Sequence, residues 1–183
     1  MRERDEVRDR LEKYVGRPMG PPVVAPDPVN VPMIRHWVDA LDDRNPVYLD
    51  ADFAATTRFG GIVAPPAMLQ AWTMARPKIA GIAERGGAPD DFQGDNPIGA
   101  LDAAGYTGTL ATNSELEFAR YLRPGDHLQA ANEVESISTC KTTALGKGYF
   151  VTWVTTYTCA DEVVGRQRFR VLKFDPRTIG AAR

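Results

Sequence analysis

Only two cysteines and two histidines occur in 183 residues, and that scarcity removes whole classes of chemistry. Cys140 and Cys159 show no CxxC spacing and no histidine cluster beside them. Neither a zinc site nor a disulfide scaffold is expected, and both read as core thiols. Charge of one sign is equally missing: 22 Lys and Arg against 24 Asp and Glu leave a net −2. That balance gives no basic footprint for nucleic acid or an anionic membrane. The longest near-apolar stretch, Gly60 to Leu69, is far too short to cross a bilayer. Met1 to Arg10 is dense in charge where a secretory signal would be apolar. A cytoplasmic protein is expected, with a small molecule or another protein as its partner.

What the chain does have is the composition of one globular domain spanning 1–183, with 43% hydrophobic and 25% charged residues. Val7, Leu11 and Tyr14 recur at helical spacing before Gly16, so residues 3–15 are expected to form a short amphipathic helix. Six prolines between Pro18 and Pro32 forbid a helix there and favour an extended, partly edge-strand path. Val31 to Leu41 forms the next helix, with Pro32 in its first turn and Ile34, Trp37, Val38 and Leu41 in one apolar stripe. A short helix is expected around Ala51 to Thr57. Pro66 then opens a helix over about 66–75 that reads as buried on nearly all sides. Pro77, Gly81 and Gly86-Gly87 leave Lys78 to Leu110 as an irregular loop or a set of short turns.

From Leu110 the pattern changes to long strands reaching Phe174: Leu110 to Arg120, Leu128 to Thr139, Lys147 to Cys159 and Val163 to Phe174. Tyr149 to Val154 is apolar or β-branched on both faces and belongs at a sheet centre. Thr143 to Gly146 and Asp161-Glu162 read as hairpin turns. If Lys141 faces Lys147, then Cys159 faces Gln129, about 36 Å along the strand from Cys140, and the two thiols cannot meet. Arg166, Arg168 and Arg170 alternate onto one face of the last strand. They form either a solvated face or a place for the phosphates of a ligand.

By element order alone this is an α+β protein. The specific signal is Asp42-Asp43-Arg44-Asn45-Pro46-Val47-Tyr48, followed by Phe59-Gly60-Gly61-Ile62-Val63-Ala64 and later by Phe118-Ala119-Arg120-Tyr121-Leu122-Arg123-Pro124-Gly125-Asp126. These segments resemble the MaoC-like (R)-specific enoyl-CoA hydratases, whose signature is Gly-Asp-x-Asn-Pro-(Ile/Val/Leu)-His and then Phe-Gly-x-x-Ile-Ala-His-Gly-Met-Leu. The resemblance implies a hot-dog fold, an antiparallel sheet wrapped around a central helix. It implies addition of water to a 2-enoyl thioester, with CoA entering as part of the substrate and no separate cofactor or metal.

Carried over residue by residue, the family's Asp is Asp43 and its Asn is Asn45. The His becomes Tyr48, a poor base because its pKa is near 10, and the His-Gly pair becomes Pro65-Pro66, whose nitrogens carry no hydrogen to donate. Two of three catalytic elements are therefore missing. No catalytic residue is expected in this chain beyond a residual role for Asp43, which otherwise serves as a turn residue. His36, on the helix leading to Asp43, is the nearest substitute base, although a solvated or capping histidine is the simpler reading. His127 follows a Gly-Asp turn, where exposure is expected.

The degenerate motif resembles that half of a heteromeric MaoC-like hydratase which shelters the acyl chain while a partner subunit supplies Asp and His. Gly16 to Pro22 and Lys147 to Thr152 are similar to the MaoC-like domain of the larger subunit of actinobacterial steroid side-chain hydratase. This implies a bulky, steroid-derived enoyl-CoA and edge-to-edge sheet pairing with the partner. Such subunits commonly continue into a C-terminal domain that docks a thiolase-like aldolase, so the resemblance implies either the MaoC-like part of a longer chain with that further partner or a stand-alone relative. The acyl pocket is expected near the end of the central helix, with Trp72, Met74, Ile79 and Phe92 as lining. The alternative is a self-sufficient homodimeric hydratase or 3-hydroxyacyl dehydratase using Asp43 with Tyr48 or His36. A hot-dog thioesterase would want a carboxylate on the central helix, and Gly60 to Ala75 contains none.

Overall fold

The computed structural model describes residues 2–74 and 95–178. Helix α1 (Arg2–Glu12) ends earlier than expected and unwinds into tight turns, Tyr14 N–H donating to Leu11 O at 3.1 Å. Strand β1 (Val23–Val24) is the short edge strand that the prolines allow. Helix α2 (Val31–Leu41) is capped by Asn30, whose side chain accepts the Met33 N–H, and buries Ile34 and Val38. Helices α3 (Pro46–Leu49) and α4 (Ala51–Thr56) follow.

The central helix begins at Pro66 as expected, but it is a 3-10 helix and ends at Thr73. It buries Met68, Leu69 and Trp72, while Ala67, Gln70 and Met74 are exposed. A helix with three residues per turn stacks positions three apart and so keeps an outer ridge. The expectation of burial on nearly all sides is corrected accordingly. A second correction falls at the end of the expected loop, where α5 (Pro97–Ala103) forms with Asn96 as its cap.

Strands β2 (Gly108–Phe118), β3 (Leu128–Ile137), β4 (Lys141–Thr143), β5 (Gly146–Cys159) and β6 (Glu162–Phe174) complete one antiparallel sheet. Its order is β1-β3-β5-β6-β2, with β4 also on β5. The strand that is apolar on both faces, β5, lies at the centre, as its composition requires. Cys159 pairs with Leu128 and Lys141 with Gly148, each one residue away from the simple hairpin register. A bulge at Glu135 and the break between Ile137 and Lys141 take up the extra residues. Cys140 and Cys159 remain apart, both free and half-buried at the rims of different apolar clusters. The β5–β6 turn uses Ala160 and Asp161, both with positive φ, as a two-residue turn matched to strand twist requires.

The motif from Phe118 to Asp126 is held by charge. Arg120 bonds Asp126 at 2.6 Å and Glu162 at 2.9 Å, and Asp126 also accepts the Arg123 N–H at 2.8 Å. Burial works to raise the Asp126 pKa, yet Arg120 and the Arg123 N–H outweigh it and hold the carboxyl below its ordinary value. This knot fixes where the chain enters β3. Among the described residues no helix is long and apolar enough to cross a membrane, and no His, Cys, Asp or Glu cluster could hold a metal ion.

Candidate functional site

The motif between α2 and α4 is a series of backbone caps. Asp42 ends α2 in the left-handed conformation, φ 50°, and its carboxylate takes the Arg44 guanidinium at 2.6 Å. The turn brings Asp43 back so that its Oδ1 accepts the Asn45 N–H at 3.0 Å. Asn45 in turn accepts the Val47 N–H at 3.2 Å and caps α3, whose first residue is Pro46. Asp50 does the same for α4 through the Phe53 N–H. Asp43 and Asn45 thus have a complete structural job, as Asx residues in turns commonly do.

Tyr48 enters the core, 8% exposed, in the apolar cluster that also holds Ile34, Val38 and Val63. Burial pushes its hydroxyl pKa up, Tyr121 and Asp43 push it further, and a hydrogen bond from Asn45 only partly offsets them. At neutral pH its phenolate is therefore scarcer than that of free tyrosine. His36 is exposed on α2, and exposed His127 has Nε2 2.8 Å from Ala25 O. Neither histidine is hydrogen bonded to Asp43. Pro65 is buried and Pro66 opens the central helix, so the family's backbone donor is absent where the motif would place it.

Asp43→Asn is therefore expected to keep the Asn45 N–H bond through its amide oxygen and to change stability little. In an assembled hydratase it should alter kcat by less than about tenfold, 1.4 kcal/mol of barrier. Steady-state kinetics on the complex check this, and a larger loss would give Asp43 a chemical role.

Of the four expected acyl-pocket residues, only Trp72 and Met74 fall among the described residues. Trp72 is 2% exposed within the core, whereas Met74, two residues on, is 61% exposed. Ile79 and Phe92 lie outside the described residues. Of the three arginines, Arg168 bridges Glu135 on β3 at 2.7 Å and Glu115 on β2 at 3.5 Å. Arg170 bonds Thr112 and Asn113 and lies over the Phe150 ring. Arg166 makes no ion pair with a described residue. Two of the three arginines thus stitch the outer face of the sheet, and phosphates would have to compete with those partners.

Sequence reasoning missed a polar group on the inner face. Gln167 is buried, accepts the Tyr157 hydroxyl at 2.9 Å and donates to Gln70 and Ser114, both at 3.0 Å. The alternation that puts Arg166, Arg168 and Arg170 outside puts Gln167 inside, so the signal was present.

A family profile described as the FAS1-like, dehydratase domain region matches residues 14–167. A probable enoyl-CoA hydratase alpha subunit of Thermomonospora curvata is 47% identical over 175 residues, 94% of this chain and 53% of that protein. The 3-oxo-4,17-pregnadiene-20-carboxyl-CoA hydratase alpha subunit of Mycobacterium tuberculosis is 41% identical over 159 residues, 85% of this chain and 48% of that protein. The chain thus spans about half the length of the curated relatives it matches. Among solved structures, the ChsH1-ChsH2 complex from Mycobacterium tuberculosis superposes with a TM-score of 0.77 and 38% identity, over 94% of this chain and 93% of the matched one. The (R)-hydratase from A. caviae involved in PHA biosynthesis gives 0.57 at 18% identity, over 86% and 94%, and shows the shared hot-dog fold alone. With this sheet, this motif path and these relatives, the chain belongs to the FAS1-like dehydratase family of MaoC-like hot-dog domains.

Proposed function

We propose that this chain is the acyl-sheltering half of a heteromeric MaoC-like hydratase that adds water to a bulky 2-enoyl-CoA, of the steroid side-chain kind, in the cytoplasm. A partner subunit supplies the Asp and His that hold and deprotonate the water, while this chain supplies volume for the tail. The observation that carries the reading is the state of the motif: Tyr48 buried in the His position, prolines in the His-Gly position, and Asp43 committed to the Asn45 N–H. The alpha-subunit names of two relatives and the two-protein complex in the structural match support it. A homodimeric hydratase resting on Asp43 with Tyr48 or His36 lacks an available base, since one candidate is buried with a raised pKa and the other is exposed on α2. CoA enters as part of the substrate, and the reading requires no cofactor.

The test is reconstitution. The chain, an Asp/His-bearing MaoC-like partner and their mixture are each assayed on a polycyclic and a four-carbon enoyl-CoA. Turnover of the polycyclic ester that needs the mixture is expected, and robust turnover by this chain alone would overturn the assignment.

A further inference from the structure

Two lysines point to the inner face of the sheet where β5 begins and β6 ends. Alternation along β5 puts Lys147 on the face of Tyr149 and Val151, both buried in one apolar cluster. Lys173 lies opposite Tyr149 on β6 and shares that face. The fold completes Lys173 with the Asp102 carboxylate and the Thr109 hydroxyl. Lys147 receives neither. Its side chain is half-buried and its ammonium has no hydrogen-bond or ion-pair partner among the described residues. A charge withdrawn from water without a partner is costly, and the treatment of Lys173 shows how this fold compensates one.

Lys147 lines a cleft of about 270 Å³ between α1, α5 and the end of β6. Val7, Ala104 and the Tyr106 ring give it an apolar wall, and Asp175, Arg177 and Thr178 complete the lining. Two glycines allow this closure. At Gly105, φ +91°, a Cβ would come within 2.7 Å of Arg177 Nη2, and at Gly146, φ +107°, within 2.7 Å of Asp175 O. The 3-10 turn Pro176–Thr178 is also tied down, since Lys147 N–H donates to Thr178 Oγ1 at 2.7 Å and that hydroxyl donates to Asp175 O at 2.8 Å. The cleft is therefore built into the backbone.

The free charge selects the ligand. Asp175 accepts Arg177 Nε and Nη2 at 2.8 and 3.0 Å, and the Arg177 backbone N–H at 3.0 Å, so these two charges offset each other. Arg177 keeps Nη1 for a further acceptor. Lys147 is left as one positive charge in excess, with its three donors unused. A single carboxylate matches that excess, whereas a phosphate dianion would set a second negative charge near Asp175. The volume falls just below the range of about 300–1,000 Å³ usual for ligand pockets. It admits a one-ring or short-chain acid and excludes a CoA thioester. Val7 and Tyr106 pack against the cluster around Tyr149, while Tyr48 and Trp72 belong to the other, so the cleft is separate from the degenerate motif.

We infer that this cleft binds a small organic monocarboxylate, with the Lys147 ammonium as its anchor, Arg177 as a second donor at the rim and the apolar wall against the body of the acid. The bound acid touches α1, α5 and the Pro176–Thr178 turn together, and it stabilises the folded chain by mass action.

Benzoate is the probe, with neutral benzamide of the same shape and inorganic phosphate as comparisons. In the 15N-labelled chain the backbone amide resonances of Tyr106, Lys147 and Thr178 are expected to move saturably with benzoate and to stay put with benzamide. At about five times its Kd, benzoate should raise the melting temperature by about 2–4 °C. Lys147→Met should weaken benzoate binding at least tenfold and abolish the thermal shift at that concentration, while Lys141→Met, at an exposed lysine on the neighbouring β4, should leave both unchanged. Shifts that never saturate, a response to benzamide equal to that for benzoate, or unaltered binding in Lys147→Met would each overturn the site. Phosphate binding as tightly as benzoate would overturn the choice of a monoanion. None of these readings needs turnover, so they stand apart from the hydratase assignment.

Discussion

Replacing Asp102 by alanine should destabilise the chain by about 3 kcal/mol, while Lys173→Met should cost much less. Lys173 is 2% exposed, and its ammonium lies 2.6 Å from Asp102 Oδ1 on α5 and 2.7 Å from Thr109 Oγ1 on β2. Removing one member of a buried ion pair costs about 3–5 kcal/mol because the other charge is left without compensation. The lower end applies here, since the Asp102 side chain is 43% exposed and water can reach the vacated space. The asymmetry follows from the same exposure. Without Lys173 the carboxylate simply turns to water, and a methionine can fill the path of the lysine stem. Urea unfolding of the two variants measures the difference. Equal losses would mean that the contact acts through packing alone.

That ion pair also marks where the sequence stopped being legible. The strands, the central position of β5 and the separation of the cysteines follow from period-two patterning and turn residues, which are local signals. Lys173 sits in the alternating run Arg166 to Phe174, so its inward direction can be counted off. Its partner could not be found, because residues 78–110 read as glycine-broken loop and α5 is only seven residues long. Asn96-Pro97 is a cap followed by proline at the first helical position, which was a usable sign. The site divided in the same way. Asp43 and Asn45 serve as turn residues by local chemistry, and the structure places both as backbone acceptors. The close approach of the central helix to β6 needs Gly165, where a Cβ would meet Leu69 at 2.7 Å. That is a tertiary contact between residues almost a hundred positions apart, and no local pattern encodes it.

Leu116→Pro should leave the chain folded and abolish pairing with the proposed Asp/His-bearing partner. Strand β2 pairs only with β6 among the described residues and has exposed side chains along nearly its whole length, Leu110 and Phe118 at 46% included. A long open edge of this kind templates pairing with another chain unless it is covered. Its hydrogen-bond phase can be read from one bond. Ala119 N–H donates to Val164 O at 3.0 Å, and antiparallel ladders alternate. Glu117 and Glu115 therefore turn their N–H groups towards β6, while Phe118, Leu116 and Ser114 turn theirs outward. Proline is tolerated on an edge strand where the lost N–H faces solvent. Leu116→Pro thus spares the β2–β6 ladder and interrupts any ladder built on the outer side, whereas Glu115→Pro removes an internal bond and should lower the melting temperature of the chain itself. In the mixture with an Asp/His-bearing partner, Leu116→Pro is expected to reduce association and turnover at least a hundredfold, equivalent to about 2.7 kcal/mol of binding. Size-exclusion chromatography and the reconstituted assay give the two readings together. If the variant assembles and turns over as wild type does, the partner docks elsewhere and the exposed edge has another cover. If Glu115→Pro and Leu116→Pro destabilise the isolated chain equally, the assigned phase of the ladder is wrong.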